Sequence, residues 1–124
     1  MRQKFSIKLN IHPERHREIR LFMLIRFSHM EEGLEKAVTL SLENCKDSKF
    51  REYFINLPDP PTGSDKESKE HAYWLNKSFK EPMADMCEIF RQQFDRSTIT
   101  FGNNAFFYRA ICHFMETYKE QENS

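Results

Sequence analysis

The feature that most constrains this chain is a change of hydrophobic period near residue 12. From Lys4 to Ile11, apolar Phe5, Ile7, Leu9 and Ile11 alternate with polar Lys4, Ser6, Lys8 and Asn10, the period-two pattern of a half-buried strand. Pro13 follows, and its fixed φ suits the first turn of a helix, where Glu14 is favoured by the helix dipole. Ile19, Phe22, Met23 and Phe27 then recur at spacings of three and four, so the pattern predicts a helix over Pro13–Arg26. Ser28 reads as the N-cap of a second helix, with Glu31 completing a capping-box pattern. Leu34, Ala37, Val38, Ser41 and Leu42 form one stripe of that helix, which should run to about Asn44.

The remainder divides less cleanly. Phe50, Tyr53, Phe54 and Leu57 lie at helical spacing within Asp47–Leu57, and Pro58 ends the pattern. Residues 58–70 are rich in Pro, Ser and charge and hold no large apolar residue, which reads as a loop or linker. Tyr73–Phe79 suits either helix or strand. Pro82–Phe94 and Asn103–Lys119 read as helices, with Thr98–Phe101 alternating briefly between them. The expected organisation is a unit over residues 1–57, a linker over 58–71 and a helical part over 72–124. With only 3 Gly and 5 Pro but 12 Phe, the chain is expected to be mainly α with a short N-terminal β-strand. Leu9-Asn10 before Pro13 is echoed by Leu75-Asn76 before Pro82, and Ala37-Val38 by Ala110-Ile111, so a duplicated unit with a short insertion stands beside two unrelated helical hairpins.

Charge is distributed unevenly although the chain is neutral overall. Residues 1–30 carry +5, residues 31–70 carry −4 and residues 71–124 carry −1. A basic end on an acidic remainder suits a polyanion-facing surface, while solvated helix faces give similar counts. No apolar run is long enough to cross a bilayer and no signal-peptide pattern opens the chain. Cys45, Cys87 and Cys112 are widely spaced and odd in number, as expected of free thiols in a reducing cytoplasm. His12 and His16 have a chelating spacing but no carboxylate completes a site, and Cys112 and His113 are adjacent on a helix and so point apart. No phosphate-cradling glycine loop or paired catalytic carboxylate motif is present, so neither an enzyme nor a cofactor is expected.

A basic alternating strand, a helix, a capped turn and a second helix within some 40 residues resembles the ribbon-helix-helix superfamily of DNA-binding proteins. Phe5-Ser-Ile-Lys-Leu-Asn together with Leu34-Glu-Lys-Ala-Val-Thr-Leu-Ser-Leu is similar to the centromere-binding adaptors of plasmid partition systems, the ParR type. The likeness reaches over residues 4–57. It implies a homodimer or higher array in which two strands pair into a ribbon that enters the major groove of double-stranded DNA, serving partition or autorepression. It also implies that a C-terminal tail engages a filament ATPase, and residues 117–124 occupy that position.

On this resemblance Lys4, Ser6 and Lys8 face base edges, since alternate strand residues point the same way. The amides around His29 and Met30, with Ser28, meet a phosphate at the helix N-terminus, and Arg2, Arg26 and His29 add sequence-blind attraction. If the internal echo is a duplication, one chain supplies both ribbon strands, as in single-chain members associated with conjugative transfer. A reading of another class is a helical interaction module that docks a protein partner through Phe106, Phe107 and their aromatic neighbours.

Overall fold

The computed structural model describes residues 3–58, 68–94 and 101–122. In chain order these form β1 (Lys4–Ile11), α1 (Pro13–Arg26), α2 (Met30–Asn44), α3 (Ser48–Phe54), β2 (Lys69–Asn76), a 3-10 turn (Lys77–Phe79), α4 (Lys80–Gln93) and α5 (Asn103–Glu122). The expected mainly helical fold with a short N-terminal strand is present. The ambiguous segment around Tyr73 is a strand, and the linker expected over residues 58–71 gives way to it at Lys69.

β1 and β2 form an antiparallel two-stranded sheet, with Ile7 opposite Tyr73 and Lys8 opposite Ala72 at its centre. The strand expected to pair with a second copy of itself therefore pairs within its own chain. The order strand-helix-helix occurs twice, as β1-α1-α2 and as β2-α4-α5, and the two strands run antiparallel. A two-stranded sheet is marginal alone and needs a covered apolar face. Ile7, Leu9, Ile11, Tyr73 and Leu75 supply that face, each at most 3% exposed, and burial of side chains of this size stabilises by roughly 2 kcal/mol each.

The halves interlock rather than sit side by side. α2 of the first half packs on β2 of the second, α5 of the second packs on β1 of the first, and α2 and α5 pack on each other. The ribbon is tied down crosswise near its centre and at one end. Asn104 of α5 donates from Nδ2 to the Lys8 carbonyl (2.8 Å), and the Asn76 N–H donates to Glu35 Oε2 of α2 (2.8 Å). Such bonds satisfy edge groups that would otherwise template pairing with other chains. Residues from both halves, among them Ile19, Met23, Leu34, Val38, Met83, Phe90, Phe106 and Ile111, share one core cluster.

Local capping differs from expectation by one residue. His12 caps α1, accepting from the Glu14 N–H at Nδ1 (3.2 Å). His29, not Ser28, caps α2: its Nδ1 accepts from the Glu32 N–H (3.3 Å), while Glu32 Oε2 accepts from the Ser28 N–H (3.2 Å). This is a capping box shifted by one position, with an imidazole nitrogen in place of a hydroxyl. Where α1 meets α2, Gly33 admits a close approach. A Cβ there would lie 2.5 Å from Met23 Sδ and 2.7 Å from a Phe27 ring carbon.

Phe101 and the aromatic residues of the first turns of α5 belong to the core. Phe106 and Phe107 are fully buried and Phe101, Tyr108 and Phe114 nearly so, which removes them as a docking surface. Phe54 of α3 packs against Phe90 and Phe106, with centroids 5.5 and 5.2 Å apart. Burial pushes the Cys45 and Cys87 thiols up to about 12 and about 11, so the described cysteines hold their protons and are inert. No helix among the described residues is long and apolar enough to cross a membrane.

Candidate functional site

Alternation sorts the ribbon into two faces. The inner one is buried in the core; the outer one carries Lys4, Ser6, Lys8 and Asn10 from β1 and Glu70, Ala72, Trp74 and Asn76 from β2. Across the strands Lys4 faces Asn76, Ser6 faces Trp74, Lys8 faces Ala72 and Asn10 faces Glu70. The structure thus brings Lys4, Ser6 and Lys8 together on one uncovered surface.

Their surroundings were not legible at the outset. Lys4 Nζ lies 2.8 Å from Glu31 Oε2 in the first turn of α2, and Lys8 Nζ lies 3.8 Å from Glu70 Oε1. Both lysine heads stay substantially exposed, at 43% and 61%, so each pair is weak and readily exchanged for another anion. Trp74 is 52% exposed, an unusual cost for a large apolar side chain at the middle of a surface.

The residues expected to meet phosphate fare differently. Arg2 lies outside the described residues. Arg26 sits at the C-terminal end of α1, where Nε bonds Glu122 Oε1 (2.9 Å) and the guanidinium lies 3.9 Å over the Phe22 ring; it ties α1 to α5. The Ser28 and Glu32 amides are already met by Glu32 and His29, and Glu31 and Glu32 place negative charge in the same turn. Met30 is half-buried and, with Lys4, Glu31, Ala72 and Trp74, lines a hollow beside β2. The turn at Ser28, His29 and Met30 is therefore acidic and internally capped, the opposite of a ready phosphate seat.

The equivalent hollow on the other side of the ribbon has a different lining: Ser6, Lys8, Lys80, Asn103 and Asn104. The first turn of α5 carries no acid. Counting exposed side chains of the ribbon, the turn after it and the first two residues of α4, Lys4, Lys8, Lys69, Lys77 and Lys80 stand against Glu70 and Glu81. Of the basic residues expected to form one cationic end, Arg15 turns inward instead, donating to the Tyr108 hydroxyl (3.1 Å) and to Cys112 Sγ (3.3 Å). The positive surface is assembled from both halves.

Beneath the ribbon, His16 of α1 stacks on His71 of β2 at a centroid distance of 4.0 Å, and its Nδ1 lies 2.7 Å from the Tyr73 hydroxyl. Desolvation first, then the neighbouring His71 and Arg20, hold His16 below the ordinary imidazole range. His12 is occupied as a helix cap, and no group of three or more metal-ligating side chains occurs among the described residues. The β2 outer face, Lys80 and Asn103-Asn104 escaped the sequence reading. The echo of Leu9-Asn10 in Leu75-Asn76 was the signal that pointed to them.

Searches against family models, curated proteins and solved structures found no match for this chain.

Proposed function

We propose that the protein binds double-stranded DNA as a single-chain ribbon-helix-helix unit, inserting the β1-β2 ribbon into the major groove. The observation that carries this reading is the antiparallel intrachain ribbon whose apolar side is roofed by helices and whose opposite side exposes Lys4 and Lys8. The major groove is about 12 Å wide and admits a two-stranded ribbon. Lys4 and Lys8 can donate to guanine O6 or N7, and Ser6 can donate or accept. The lysines around the ribbon favour the polyanion at long range. One chain supplies both strands, so the reading favours a single-chain tandem protein over a homodimeric ribbon. Partition or autorepression is the role we attach to that binding, on the resemblance of residues 4–57 alone.

The test is titration of the full chain with a pool of random duplexes, followed by fluorescence anisotropy at low and moderate salt. Affinity should fall by roughly tenfold or more between 50 and 200 mM salt. Lys4→Ala and Lys8→Ala should each weaken binding to a selected duplex by about 1–3 kcal/mol, with unchanged circular dichroism. Binding that survives loss of both lysines would overturn the assignment.

A further inference from the structure

Relating the two strands by the two-fold implied by their antiparallel pairing, with Leu9-Asn10 matched to Leu75-Asn76, passes the axis through the Ile7-Tyr73 pair. Lys4 then corresponds to Glu70, Ser6 to Ala72, Lys8 to Trp74 and Asn10 to Asn76. The two central outward pairs, Ser6-Trp74 and Lys8-Ala72, are symmetry mates in position. In each, a small residue faces a large one, so size is conserved across the axis while chemistry is not: an ammonium stands on one side and an indole on the other.

From this we infer that the ribbon recognises a non-palindromic duplex site, with Trp74 as a specificity-determining residue for one half of it and Lys8 for the other. The inference rests on the DNA binding proposed above. Lys8, 61% exposed at its side chain, offers a donor suited to guanine O6 and N7. Trp74 offers an apolar edge and face suited to a thymine methyl. Glu70 replaces the cation that Lys4 provides in the other half, and as an acceptor it suits the cytosine amino group. A ribbon of two identical strands would present the same donors twice and would select a palindrome; this one cannot. The occupant is nucleic acid rather than protein because an exposed tryptophan shares the outer face with Lys4 and Lys8, and with Lys69, Lys77 and Lys80 the exposed cations of this end outnumber Glu31, Glu70 and Glu81, which matches a polyanion with an apolar feature in its groove.

Trp74 is the sole tryptophan, so its emission reports directly on this face. Binding of a selected duplex should quench or shift that emission. Selection from a random duplex pool with the full chain should return a consensus whose halves differ. Trp74→Ala should flatten base preference by roughly fivefold or more in one half only, Lys8→Ala in the other, and Trp74→Lys should pull the consensus toward a palindrome. Because Trp74 is exposed, these variants should fold like the parent, which circular dichroism checks. A palindromic consensus for the parent, or salt-sensitive binding in which Trp74→Ala and Trp74→Lys leave both consensus and affinity unchanged, overturns the inference while leaving DNA binding intact. Absence of salt-sensitive duplex binding by the parent overturns both.

Discussion

The two halves of this chain share an order of elements and differ in almost everything they show to solvent. In β1-α1-α2 the outer strand residues are Lys4, Ser6 and Lys8, while the first turn of the second helix is loaded with Glu31 and Glu32. In β2-α4-α5 the strand shows Glu70, Ala72 and Trp74, and the corresponding turn at Asn103 has no acid. The difference teaches that the two outer lysines of β1 take their carboxylates from different halves: Lys4 reaches back to Glu31 of its own half, whereas Lys8 meets Glu70 across the sheet. What stays common is the inner face, because both strands must bury an apolar row against one shared core.

That shared core is where the comparison can be broken hardest. Phe90 belongs to the second half and is fully buried against Phe54 of the first and against Phe101. Phe90→Ala should cost about 3–5 kcal/mol and lower the stability of both halves together, as one cooperative denaturant transition. Two separate transitions would mean the halves fold independently. The glycines give the next contrast. Gly33→Ala drives a Cβ into Met23 and Phe27 and should cost about 1–3 kcal/mol, whereas a Cβ at Gly102, before α5, meets nothing within 4 Å and should change stability by about 0.5 kcal/mol or less. Equal losses would show that the close helix approach is not confined to the first half.

Histidines sharpen the comparison further. His16 in the first half and His113 in the second are both held below the ordinary value of 6.5, chiefly by desolvation. The unfolded chain therefore binds protons more readily than the folded one, so their contribution is fully present above pH 6.5 and declines as pH falls below it. Chemical denaturation at pH 7.5 and pH 5 should show that decline, and His16→Gln should reduce it if His16 carries its share. The smallest effect is expected at Glu31. Glu31→Gln frees the Lys4 ammonium, with a stability change of about 0–1 kcal/mol, and should tighten duplex binding slightly; weaker binding would mean that the Lys4-Glu31 pair preorganises the surface.

The first half was readable because its signals are local. Period-two alternation before Pro13, helical spacing to Arg26 and a glutamate after a polar cap each lie within one element, and the bounds of α1 and the end of α2 follow them. The cap itself slipped by one, since an imidazole nitrogen at His29 can accept as a hydroxyl does. β2 was hard to read because His71, Tyr73 and Leu75 alternate over too few residues to separate strand from helix; its pairing with β1, from Lys4 opposite Asn76 to Ile11 opposite Lys69, makes it a strand. Lys80 and Asn103 carry no local mark of sitting beside Lys8.

By itself, then, the order of residues determined the type of most elements and which face of each is apolar, because backbone propensity and side-chain period are properties of neighbouring residues. Only the tertiary structure decided that both ribbon strands come from one chain, that Arg15 and Arg26 are spent on α5 while Lys69, Lys77 and Lys80 join the exposed surface, and that Trp74 shares a face with Lys8. Those are long-range juxtapositions. They are selected by burying two apolar strand faces and four helix stripes in one core, a free energy that no segment of the chain can express alone.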